Sequence, residues 1–189
     1  MSCTLPQEMI DRTIAFHGHE CPGLWIGVRV AELCLQEFGH NDQDPLTAVV
    51  EADMCAVDAI QFLTGCTYGK GNLIHRDYGK LAFSFYRPSD GKARRIVFNR
   101  SAIRASSGEG MAAVRSPENR ARAQEKLRNL PLGELFTLTP LDTPAPRPAR
   151  VLESLVCSCC GEATMETRTR RMHGEVFCIP CFQNLDQKL

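Results

Sequence analysis

The sequence has no excess of charge of either sign. Its 189 residues hold 22 Lys and Arg against 22 Asp and Glu, so the formal net charge is zero. Without a global field, charge supports neither nucleic acid nor an anionic membrane as a partner. Long apolar runs are also missing. The most apolar stretch, LWIGVRVAELCL, has 12 residues and includes Arg29 and Glu32. A membrane span needs roughly 20 apolar residues. The opening MSCTLPQEMIDRTIAF lacks a basic start followed by an apolar run, so it does not read as a secretory signal. The expectation is a cytoplasmic protein with no membrane partner and no nucleic-acid partner. There is no repeat at a solenoid period and no low-complexity tract beyond one proline-rich segment.

Cysteine, by contrast, is plentiful. Ten occur, at positions 3, 21, 34, 55, 66, 157, 159, 160, 178 and 181. Disulfides rarely persist in a reducing compartment, so clustered cysteines point to metal or catalysis. The last five lie within 25 residues of one another and the rest are spread over the first 66. Two separate explanations are needed.

The segment TPLDTPAPRPAR carries Pro140, Pro144, Pro146 and Pro148. Proline fixes φ and lacks a donor, so this reads as a stiff linker. The predicted organisation is a core domain over 1–140, a linker over 141–150 and a finger over 151–189. Helices are expected at 6–16, at 22–38 with Pro22 in the first turn and Gly39 past the end, at 54–65, and at 116–130 behind a Ser116 cap. Strands are expected at 47–52, 80–88 and 93–100, the last two forming a hairpin across SDGK. Mixed elements without a regular βαβ period predict an α+β fold, with a helix and antiparallel-sheet core.

In the tail, Cys157 and Cys160 form one C-x2-C pair, and Cys178 and Cys181 form another, 17 residues later. Two thiolates on one tight knuckle reach a single tetrahedral ion, and the second pair closes the shell. Gly161 suits the unusual φ of a knuckle, and HGEV (173–176) suits a hairpin turn. The tail has too few apolar residues for a core, so a structural zinc would supply its folding energy. Two redox dithiols are the competing reading. Cys159 is a spare thiol. The Arg168, Arg170 and Arg171 cluster reads as a solvated strand face.

In the core domain the densest stretch is FHGHECPG, Phe16 to Gly23. Cys21 precedes Pro22 at a helix start, where backbone N–H groups and the helix dipole favour a thiolate. The same logic applies to Cys55. Cys66 follows Gly65 in GCTYGKGN. Cys34 lies inside an apolar pattern and reads as a buried small hydrophobe. Cys21, Cys55 and Cys66 can converge with His17 and His19 on a second metal of zinc type, with a coordination position left open. The alternatives are a nucleophilic Cys21 with a histidine base and inert buried cysteines. Within 65–80 the phosphate-loop pattern fails, because three residues rather than four separate the glycines and Gly71 follows Lys70. Lys70, Asn72, His75 and Asp77 remain candidates to hold a polar or anionic ligand. Asp53, Asp58 and Gln61 are candidates to support the metal ligands.

FHGHECPG, EADMCAVDAIQFLTGCTYGKGNL and DYGKLAFSFY together resemble the FmdE family, named for a component of formylmethanofuran dehydrogenase, over roughly residues 10–140. The tail CSCCGE…CIPCF resembles the zinc finger that some members append. The resemblance implies an α+β core, a treble-clef finger and a homodimer. It also implies a core metal site from His17, His19, Cys21, Cys55 and Cys66, with His17, Cys21 and Cys55 as the residues for any catalysis. Lys70, Asn72, Asp53 and Asp77 stand as ligand-binding candidates beside it. The family name points to an oxidoreductase of methanogenesis that uses tungsten or molybdenum. The chain then reads either as a small-ligand-binding metalloprotein of one-carbon or molybdenum/tungsten-cofactor-linked metabolism, or as an accessory component of a dehydrogenase complex.

Overall fold

The computed structural model describes residues 2–103 and 116–185. The chain falls into two compact units, Met1–Pro148 and Ala149–Leu189. The first has α1 (Gln7–His17), α2 (Pro22–Phe38), β1 (Thr47–Val50), α3 (Ala56–Thr64), β2 (Leu73–His75), β3 (Ala82–Arg87), β4 (Lys92–Phe98), α4 (Pro117–Asn129), the short α5 (Leu132–Leu135) and β5 (Phe136–Pro140). Its sheet runs β2-β1-β3-β4-β5. Only β1 and β2 are parallel, joined through α3, and the other pairs are antiparallel. This is an α+β fold with a single βαβ crossover. Proline is compatible with β5 because Pro140 ends an edge strand, where a missing N–H breaks no ladder.

Side chains alternate across the sheet, as strand geometry requires. Ala48 and Val50 join the main core with Leu24, Trp25, Ile60, Phe83 and Phe85, whereas Val49 packs with Tyr86 and Ala93. Leu141 and Ala145 pack on this second cluster, and Leu141 N–H donates to the Ala93 carbonyl. Residues 141–148, expected as linker, therefore group with the first unit. Apolar side chains between the prolines have a sheet face to cover.

The helices are placed by small residues. A Cβ built on Gly27 would lie 2.3 Å from the Ala56 carbonyl oxygen. One turn earlier, a Cβ on Gly23 would lie 3.2 Å from the Cys55 Cβ. Two glycines four apart thus let α2 touch the start of α3 backbone to backbone. Gly27→Ala should therefore destabilise the unit by about 1–3 kcal/mol, the usual cost of overpacking. Urea unfolding should show a lowered midpoint at an unchanged slope.

The second unit holds β6 (Ser154–Val156) paired with β7 (Ala163–Met165), β8 (Thr169–Met172) paired with β9 (Glu175–Cys178), and α6 (Ile179–Leu185). His173 and Gly174 turn the second hairpin with φ of 52° and 89°, the left-handed pair that a tight two-residue turn needs.

Candidate functional site

In the second unit the donor atoms of Cys157, Cys160, Cys178 and Cys181 all lie within 4.8 Å of one another. The Cys160 and Cys178 sulfurs are 3.9 Å apart. A tetrahedral zinc with sulfurs at about 2.3 Å sets them about 3.8 Å apart, so the cluster fits the ion. The knuckle closes through Gly161 N–H to the Cys157 carbonyl, with Gly161 at φ 75°. Backbone N–H groups of Cys160 and Cys178 hold the Cys157 thiol down to about 6, ready to ligate as a thiolate. Cys181 enters on the first turn of α6. Cys159 is exposed beside the cluster.

In the first unit, α1 ends at Gly18, which takes φ 91° and turns the chain back. His19 thereby returns beside His17, with ring centroids 4.5 Å apart. Glu20 then accepts from Trp25 Nε1 at 2.7 Å and from Arg128 at 3.1 Å, which fixes the segment before α2. Cys21 caps α2, its sulfur accepting from Leu24 N–H at 3.3 Å. Donor atoms of His17, His19 and Cys21 lie within 4.8 Å of one another.

His17 is held from both sides. Its Nδ1 lies 2.7 Å from Asp58 Oδ2, and its Nε2 lies 3.9 Å from the Cys21 sulfur. A carboxylate on one ring nitrogen leaves the other free to ligate or to accept a proton. Asp58 reaches His17 because α1 and α3 pack together, across a separation of 41 residues.

Cys55 stands at the start of α3, where its thiol interacts with that of Cys21. The helix start does not make it a ready thiolate, contrary to the sequence reading. Burial and the neighbouring Cys21 thiol push Cys55 up, and it makes no capping bond.

Several expected residues lie elsewhere. Cys66 is fully buried and its thiol faces the Leu46 carbonyl at 3.8 Å. Burial pushes it up, and it sits beside the buried Cys34 rather than with Cys21. Asn72 is consumed by the fold. It donates to Asn41 and to the Leu46 carbonyl and accepts from Thr67 N–H. Lys70 and Asp77 are exposed and do not line the cleft beside His17.

That cleft has a volume of about 460 Å³ and is lined by residues including His17, Asp53, Cys55, Asp58, Tyr68 and His75. The size suits a small molecule. No lysine or arginine is among the described residues that line it. The sequence reading missed Tyr68 as a rim residue, and Gly23 and Gly27 as the spacers that admit Cys55. The glycine spacing was the available signal. Nothing in the sequence tied Asp58 to His17.

Comparisons with known proteins agree with this division. The family model described as FmdE, molybdenum formylmethanofuran dehydrogenase operon, matches residues 16–137. The prokaryotic dksA/traR C4-type zinc finger matches residues 151–187. A crystal structure of an FmdE-like protein of tungsten formylmethanofuran dehydrogenase type, from Syntrophus aciditrophicus, matches with a TM-score of 0.70. That match has 21% identity and covers 97% of this chain and 94% of the other. A probable S-adenosyl-L-methionine-binding protein from Archaeoglobus fulgidus is 29% identical over 202 residues, 93% of this chain. The chain spans 54% of that relative's length. The family match covers well over half of the chain and includes every residue of the His17 site, and so the chain belongs to the FmdE family, with a C4-type zinc finger following its core.

Proposed function

We propose that the first unit is an open metal site that binds a small ligand, and that the zinc finger is purely structural. The observation that carries this is the packing of His17, His19 and Cys21 within 4.8 Å, with Asp58 bonded to the far nitrogen of His17. His17, Cys21 and His19 would hold the ion, with Cys55 close enough to join them. A borderline metal of zinc type suits mixed imidazole and thiolate donors. When bound, it would supply a Lewis acid at the mouth of the 460 Å³ cleft. Asp58 orients His17, and the apolar wall of Val50, Val57 and Leu73 limits water.

The cleft's carboxylates, Asp53 and Asp58, favour a neutral or cationic ligand over the anion that Lys70 first suggested. The name of the Archaeoglobus relative makes a sulfonium compound of one-carbon metabolism the first ligand to try. Such a ligand would place the protein beside, rather than inside, a dehydrogenase.

Metal analysis tests the site. We expect two zinc-type ions per wild-type chain and one in the His17→Ala, Cys21→Ala double variant. Asp58→Asn should keep the fold and weaken the core ion 10- to 100-fold, the usual effect of losing a carboxylate behind a ligating histidine. An unchanged count of two in the double variant would sink the reading.

A second reading is supported by the same line of groups. Asp58, His17 and Cys21 stand in the order of an orienting acid, a base and a nucleophile. It requires Cys21 to alkylate quickly in metal-free protein and His17→Ala to slow that reaction. Slow labelling of the metal-free wild type would remove it.

A further inference from the structure

The geometry points to a second use of the two core thiols: we propose that Cys21 and Cys55 are a reversible disulfide pair, closed by small-molecule disulfides when the core metal is absent. The competition with metal rests on the metal reading above, whereas the bond itself does not.

The two cysteines lie 34 positions apart in the chain. They come together because each occupies the N-cap of a helix and the two helix starts touch. A Cβ on Gly23, two residues beyond Cys21, would lie 3.2 Å from the Cys55 Cβ and 3.5 Å from its sulfur. No side chain therefore stands between the first turn of α2 and Cys55. The Gly27 contact with Ala56 holds the helices at this separation. Both thiols are half-buried, so a small reagent can reach them, whereas Cys34 and Cys66 are sealed in the core.

The surroundings suit exchange. Leu24 N–H donates to the Cys21 sulfur, which favours its anion, and His17 Nε2 stands 3.9 Å away to take the thiol proton. Cys21 sulfur attacks one sulfur of a disulfide RSSR, forming Cys21–S–S–R and releasing RS⁻. Cys55 then attacks the Cys21 sulfur, breaks the mixed bond and releases a second RS⁻. The two thiol protons end on the two RS⁻ groups. Two protein thiols are oxidised to one disulfide, and RSSR is reduced to two RSH. The same sulfurs cannot ligate a metal while bonded to each other.

The test uses the full chain, stripped of metal and incubated with glutathione disulfide. Free thiols are alkylated, and the protein is cut with trypsin and with a protease that cleaves before aspartate. Residues 13–29 then contain Cys21 alone, and residues 53–57 contain Cys55 alone. We expect these two peptides to be joined, to separate with dithiothreitol, and to stay apart in Cys55→Ser. The linkage should persist in Cys34→Ala and in Cys159→Ala. Recovery of the two peptides unlinked, alkylated or carrying glutathione, would overturn the disulfide. Zinc added before the oxidant should slow the linkage at least tenfold. Linkage at an unchanged rate would overturn the competition and the use of these sulfurs as zinc ligands, and would leave the metal-free disulfide standing.

Discussion

Stripping metal from the full chain should unfold residues 154–185 and leave the first unit folded. The second unit buries only Cys157, Phe177 and Cys178, with Met172, Cys181 and Phe182 packed against them. Two of those three are themselves metal-binding candidates. Ordering each residue costs about 1–2 kcal/mol of backbone entropy, and so small an apolar cluster does not offset that over two hairpins and a helix. The four thiolates must supply the difference. Structural zinc contributes about 10–16 kcal/mol of apparent binding energy in comparable fingers at neutral pH. Hydrogen exchange with and without a chelator reads the effect by segment. Amides of β6 to α6 should lose protection, and those of β1, β3 and β4 should keep it. Cys157→Ala should match the chelated protein, because three thiolates leave the shell open. Protection of the finger that survives complete metal removal would show a fold held by packing, and would overturn the argument.

Truncating Arg29 should be the most damaging single change in the first unit. Arg29 and Glu32 are 0% and 1% exposed, inside the apolar helix α2. Their side chains bond at 2.7 Å from Nε to Oε2. Arg29 also donates to the carbonyls of Leu127 and Arg128, the otherwise unsatisfied end of α4. Glu32 accepts from the Thr4 N–H at 2.7 Å and from its hydroxyl at 2.6 Å. One buried pair thus fastens the first residues and the last turn of α4 to the central helix. Arg29→Ala leaves the Glu32 carboxylate buried without a cation and should cost about 3–5 kcal/mol. Arg29→Met with Glu32→Leu removes both charges and should cost less than the single change, because no lone charge remains. It should still fall below wild type, since the α4 carbonyls and Thr4 lose their partners. Urea unfolding of the first unit measures both variants. A loss under about 1 kcal/mol for Arg29→Ala would mean that water or another cation replaces the guanidinium, and would overturn the account.

Much of the fold was legible because its signals are local. Pro22 and Gly39 bracket α2, and Ser116 and Pro117 open α4, since caps act within one turn. The β3–β4 hairpin follows from alternation on both sides of a short turn. The strands β2 and β5 escaped the reading. The first is three residues in a loop, and the second is an edge strand ending in proline. Neither has the length or alternation that marks a strand.

The candidate sites divide in the same way. Spacing alone determined the finger, because each C-x2-C pair is a single turn of chain and only two turns must meet. It also determined that FHGHECPG offers two histidines and a capping cysteine together, with Gly18 turning one imidazole back to the other. Packing alone decided which distant groups join them. Asp58 reaches His17 across 41 residues, and Cys55 rather than Cys66 reaches Cys21. The physical reason is the approach of α2 to α3, which Gly23 and Gly27 permit and one added methyl would block. That distance belongs to two helices at once, so the local pattern of either one cannot specify it.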